Sequence, residues 1–271
     1  AAALAERAVT LTPPRSRAPL HRRRLEAARL AFAAGDRPAA ERFLRDALAV
    51  AGRGRERAEA LLELGTVLNT EDRRVGLELF REAAAEPDAD ARLRASILVQ
   101  LAWAEGYSGA GYERAVELLQ EAVTLAEAAA DRPLLAQALS TLGHVELFQG
   151  REFPHAAMQR AEAIELADGL RVDGPTEVYA EMLADHGHYA EARERLERVI
   201  ALGREIGDAG VCRPLFRLAY TEWEVGDWDR AWELAVEAES VAAQTGRETI
   251  APLGSLVLAL IEAMRGNVEA G

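Results

Sequence analysis

Small and apolar residues recur along this chain at helical spacing, and glycines interrupt them at intervals. Three stretches align directly: GDRPAAERFLRDAL (35–48), GHYAEARERLERVI (187–200) and GDWDRAWELAVEAE (226–239). Each opens on glycine and places a small residue five positions on, at Ala40, Ala192 and Ala231. Each then carries an apolar residue four later (Leu44, Leu196, Ala235) and another three after that (Ala47, Val199, Ala238). The i, i+4, i+7 spacing marks one face of an α-helix. Looser copies carry Gly76, Phe80 and Ala83, then Ala115, Leu119 and Ala122, then Ala157, Ala161 and Ile164. The anchors at 40, 76, 115, 157, 192 and 231 are near-regularly spaced, and such a period is the signature of a repeat architecture.

A second helix precedes most of the glycines. ALSTLGHVELFQG (138–150) presents Leu139, Leu142 and Gly143, LLELGTVL (61–68) repeats the Leu-Gly step, and Leu218 and Ala219 take that place in RPLFRLAYTEWEVG (213–226). The glycine is expected to end the first helix in a left-handed conformation, and Asp227 to cap the next. Ala231 is small so that the antiparallel partners can pack closely, and Trp228 covers the junction. The pattern predicts an all-α fold: a right-handed solenoid of antiparallel helix pairs. It would run as a single array over residues 1–271, with about six pairs and partial units at both ends. The opening AAALAERAV and the unfinished RGNVEAG lead to the expectation that the chain is a piece of a longer protein.

The segment Gly226-Asp227-Trp228-Asp229-Arg230-Ala231, with Leu218 and Ala219 before it, resembles the tetratricopeptide repeat. That family has Leu-Gly or Leu-Ala in helix A, Gly-Asp-aromatic at the turn and Ala at the crossing point of helix B. The copies here exceed the usual ~34 residues, and the turns depart from the pattern around Glu71, Gly109 and Gly150. A narrower resemblance rests on RRRLEAARLAFAAGDRPAAERFLRDALA, ILVQLAWAEGYSGAGYERAVELL and LIEAMRGNVEAG. These are similar to the helical middle region of the large ATP-binding LuxR-family (LAL) transcriptional regulators of actinobacteria. The resemblance implies a domain that receives a signal, from a small-molecule effector or a protein partner, between a nucleotide-binding module and a DNA-binding helix-turn-helix. No GxxxxGK[ST] sequence occurs in this chain. The alternative is a free-standing tetratricopeptide adaptor that docks a partner protein segment.

Composition narrows the function classes. All 32 basic side chains are arginine, and the formal net charge is -13, which argues against direct nucleic-acid contact because phosphate binding depends on cationic side chains. The basic run RSRAPLHRRR (15–24) is read as a solvated helix start. The single cysteine, Cys212, excludes an internal disulfide and fits a reducing cytoplasm. No apolar run reaches the ~20 residues of a membrane span.

Several short motifs suggest chemistry but have simpler structural explanations. GYSGAG (106–111) follows a helix and lacks the phosphate-contacting lysine, so it is expected to be a lengthened turn. DHGHY (185–189) offers Asp185, His186 and His188, splayed around a glycine rather than convergent on a metal. Ser140, His144 and Glu146 share a helix with no oxyanion site beside them. No enzyme chemistry, cofactor or metal is expected. What remains is a binding surface on the first helices of the pairs, taken to line a concave side. Phe216, Tyr220 and Trp223 form one stripe at i, i+4 and i+7, open either to a ligand or to packing against the next pair. Gln100, Trp103, Tyr107, Ser140, His144, Glu177 and Glu181 hold comparable places in earlier pairs. Together they suit a small organic effector or a peptide, and self-association as a homodimer is a variant of either reading.

Overall fold

A computed structural model describes residues 2–13, 15–69, 72–107, 112–245 and 251–266. The turn irregularities read at Glu71 and Gly109, most of GYSGAG and the final NVEAG lie outside the described residues, as does the side chain of Tyr107. The described residues form α-helices joined by short turns, with one 3₁₀ turn and no strand. The chain divides into two compact units, residues 1–154 and 155–271.

The first unit holds α1 (Ala2–Thr10), α2 (Arg17–Ala33), α3 (Arg37–Val50), α4 (Arg55–Leu68), α5 (Arg73–Ala85), α6 (Ala91–Tyr107), α7 (Tyr112–Ala128) and α8 (Arg132–Phe148). Helices α2/α3, α4/α5 and α6/α7 are hairpins, and the first helices α2, α4, α6 and α8 touch in succession. The second unit holds α9 (His155–Asp168), α10 (Pro175–Asp185), α11 (Tyr189–Ile206), α12 (Cys212–Val225), α13 (Trp228–Gln244) and α14 (Ala251–Met264). Here α10/α11 and α12/α13 pair, while α14 packs on both α12 and α13.

The turn at 225–228 shows why the pairs form. Gly226 adopts φ 89°, a left-handed conformation that costs a residue without Cβ little. Its N–H donates to the Trp223 carbonyl at 3.1 Å, and the Asp227 N–H reaches back to Glu222 O at 2.9 Å. The Asp227 carboxylate then accepts from the Arg230 N–H, capping α13. Trp228 packs against the core of this unit. Close approach explains the Leu-Gly step, because a Cβ at Gly65 would stand 2.6 Å from the Phe80 ring of α5. Phe80 itself is completely buried.

The anchors Ala40, Ala115, Ala192 and Ala231 are fully buried, with Leu44, Leu119, Leu196 and Ala235 beside them. One copy needs a correction. In α9 the buried face is Met158, Ala161, Glu162 and Glu165, whereas Ala157 and Ile164 are only half-buried. The register follows the two glutamates, which have partners inside. Arg195 engages Glu162 at 2.9 Å, and Thr176 donates its N–H and hydroxyl to Glu165 at 2.8 and 2.6 Å. An apolar-only count discards such positions. Among the described residues no helix is long and apolar enough to cross a membrane.

Candidate functional site

In the second unit, α10 with the turn before it brings four carboxylates onto two arginines of α12. Glu177 and Glu181 sit one turn apart on α10, and Arg213 and Arg217 one turn apart on α12, so the pairs meet as facing ladders. Arg213 binds Glu181 at 3.1 Å through Nε and 3.0 Å through Nη2. Its Nε lies 3.4 Å from Glu177 Oε1, and its Nη1 lies 3.4 Å from Asp173. Arg217 takes Asp185 at 2.7 Å and the Glu181 carbonyl at 3.1 Å.

Glu177 is the unusual member. It is fully buried, and Oε2 accepts the Asp173 N–H at 2.9 Å. Burial pushes its carboxyl up to about 7; the attraction of Arg213 opposes this, while Glu181 and Asp173 add to it. For Arg213 burial pulls downward, but Glu181 and Glu177 outweigh it and leave the guanidinium above its ordinary value.

On the same helix Phe216, Tyr220 and Trp223 do form one stripe, with ring centroids 6.4 and 5.3 Å apart. Phe216 belongs to the core together with Val257 and Ile261 of α14, and Tyr220 and Trp223 pack partly buried against that core. Packing on the next helix therefore uses much of the stripe. The Trp223 Nε1 is buried with no hydrogen-bond partner among the described residues.

The first unit assembles a different group. Trp103 of α6 meets His144 of α8 edge-on at 5.2 Å, and His144 stacks on Phe148 at 4.7 Å. Tyr112 of α7 extends the stack at 5.9 Å from Phe148. Gln100 is half-buried one turn before Trp103, and Ser140 is buried one turn before His144. Glu146 turns instead to Arg151, at 3.1 Å. The polar side chains of DHGHY also disperse: Asp185 to Arg217, His186 Nδ1 to the Met182 carbonyl at 2.9 Å, and His188 to the His155 ring at 5.9 Å.

Sequence reasoning missed the groove between α2, α4 and α6, a cavity of about 910 Å³. Apolar side chains Leu25, Leu62 and Leu93 line it beside Arg29, Arg55 and Glu63. Salt bridges Arg29–Glu63 (2.8 Å) and Arg55–Asp90 cross from one first helix to the next. His21 also lines the cavity, 4% exposed, with neither ring nitrogen hydrogen-bonded among the described residues. Its signal was in the sequence: His21 shares an i, i+4, i+7 stripe with Leu25 and Ala28, inside a run read as solvated.

No family profile matches the chain. No curated protein is similar enough to be matched. Solved structures are similar across most of its length. A signal transduction ATPase with numerous domains and a tetratricopeptide repeat sensor, from Pyrococcus horikoshii, superposes with TM-score 0.65 at 12% identity, over 96% of this chain and 42% of that one. A Rap protein in complex with competence and sporulation factor gives 0.64 at 15% identity, over 96% and 78%. A tetratricopeptide repeat protein of Thermus thermophilus gives 0.54 at 18% identity, over 73% and 98%. At these identities the likeness concerns the fold: this chain is an all-α repeat of tetratricopeptide-like helix pairs.

Proposed function

We propose that the chain is the signal-receiving, protein-interaction part of a LuxR-type bacterial transcriptional regulator. The observation that carries a binding role is the cavity of about 910 Å³ opened by three successive first helices, a volume in the range of built ligand sites. First helices with paired charges and half-buried aromatic side chains suit recognition of a partner segment. Each unit offers its own contact positions: Trp103 and His144 in the first, and Glu181, Tyr220 and Trp223 in the second. Two fold neighbours lend this reading support: one is described as a signal transduction ATPase with a tetratricopeptide repeat sensor, the other as a Rap protein complexed with competence and sporulation factor.

Reading the coding sequence on both sides of this chain tests the regulator. A GxxxxGK[ST] loop before it and a helix-turn-helix after it are the expected result. A reading frame with neither would reject the regulator and leave an adaptor that docks a partner protein.

A further inference from the structure

The groove of the first unit contains a polar group that the fold does not use. His21 is 4% exposed, and among the described residues both its nitrogens lack a hydrogen-bond partner. A neutral imidazole carries one donor and one acceptor, and leaving either unmade inside a protein costs free energy. Structural histidines are usually relieved by a carbonyl or a carboxylate; among the described residues this one is not. The other charges of the groove are largely accounted for. Arg29 is held by Glu63, Arg55 by Glu59 and Asp90, and Arg92 by Asp131 at 2.7 Å. Glu26 acts on Arg29, and Glu56 lies in the first turn of α4, where the helix dipole favours a carboxylate. Arg22, exposed and lining the same cavity, has no ion-pair partner among the described residues. His21 and Arg22, consecutive on α2, thus line the groove together with the apolar side chains Leu25, Leu62 and Leu93.

We propose that the groove between α2, α4 and α6 binds a small organic acid, its carboxylate met by His21 and Arg22 and its apolar body lying on Leu25, Leu62 and Leu93. Binding relieves the unmade hydrogen bond of the imidazole and displaces water from the leucines, so one ligand satisfies both features. The site concerns this unit alone and stands whether or not the chain belongs to a transcriptional regulator.

The test uses three probes with one apolar body and different head groups: indole-3-acetate, indole-3-acetamide and tryptamine. Each is titrated into the intact chain with ¹⁵N-labelled histidine, and the imidazole resonances of the five histidines are followed. The acid is expected to shift the His21 resonances saturably, about tenfold more tightly than the amide, as a charge-assisted contact requires. Tryptamine is expected to bind most weakly. His21→Leu should keep or raise the melting temperature, because it removes two unpartnered buried nitrogens, while weakening the acid at least about tenfold. Should that variant fail to fold, Arg22→Ala, on an exposed side chain, must still weaken the acid and leave the amide unchanged. Equal binding of all three probes, no movement of His21 with any of them, or unchanged affinity in both variants overturns the proposal.

Discussion

The two units are built from the same helix hairpin, yet they treat charge differently. Residues 1–154 carry 21 arginines against 23 acids, whereas residues 155–271 carry 11 against 22. Nearly all of the net charge of -13 therefore sits in the second unit. Burial follows the same division. Glu162, Glu165, Glu177 and Glu222 are buried in the second unit, and among the described residues of the first only Glu105 is. Buried carboxylates need partners, and the second unit supplies them from neighbouring helices. Arg193 holds Glu222 through two short bonds, at 2.6 and 2.5 Å, and Arg195 holds Glu162. The first unit keeps its ion pairs mostly on the surface and leaves a groove instead. One repeat can thus be closed either by apolar packing or by enclosed ion pairs.

The largest effect should come from the apolar unit. Phe80→Ala removes a fully buried ring at the α4–α5 contact and is expected to cost about 3–5 kcal/mol. Amide exchange should accelerate in residues 1–154 with no change in its pH dependence. A pH-dependent loss there would erase the contrast.

Next, Arg213→Met in the acidic unit leaves Glu177, Glu181 and Asp173 without their shared cation. We expect a cost of about 2–3 kcal/mol, less than for a fully enclosed pair because water reaches part of the guanidinium. Denaturant melts at pH 5 and pH 8 should show the larger loss at pH 8, where Glu177 is ionised. An equal loss at both values would mean that Glu177 does not sense the arginine.

A smaller change, of opposite sign, is expected from Glu177→Gln. The folded-state carboxyl of Glu177 is raised from 4.5 to about 7, so the folded state holds a proton that the unfolded state has lost. Stability then falls as pH rises between those values and levels off above them. The glutamine variant should be more stable than the parent at pH 8, by about 1–2 kcal/mol, and flatter across the window. A variant less stable than the parent at pH 8 would show that the charged form is the one the fold favours.

The smallest change addresses what the units share. Asp227→Ala removes the cap that accepts the Arg230 N–H and should cost about 1 kcal/mol at any pH above the carboxylate range. The matching Asp36→Ala in the first unit, whose carboxylate accepts the Ala39 N–H at 3.1 Å, should cost a similar amount. Unequal losses would show that the hairpin itself differs between the units.

Much of the fold was legible because its signals are local. Glycine followed by Asp227 or Asp36, with a small residue four or five positions on, specifies a turn and a crossing point within one stretch of chain. The candidate site was legible only in part. Tyr220 and Trp223 share one stripe with Phe216, as the spacing predicts, yet pack half-buried against the core; the contact of Trp103 with His144 was not readable from spacing. Phe216, Glu177 and Ser140, offered as projecting positions, are buried. Periodicity reports which residues share a face and says nothing of what covers it.

The sequence by itself determined the helix pairs, their turns and the small residues at the crossings, since backbone conformation and helical period act over a few residues. Tertiary structure alone decided the register of α9, where Glu162 and Glu165 turn inward to meet Arg195 and Thr176. It also decided the enclosure of Glu177 against Arg213, 36 residues on, and the groove in which His21 finds no partner among the described residues. Those outcomes depend on which distant side chain arrives at a given face. Burial and charge compensation settle that only once the helices have stacked.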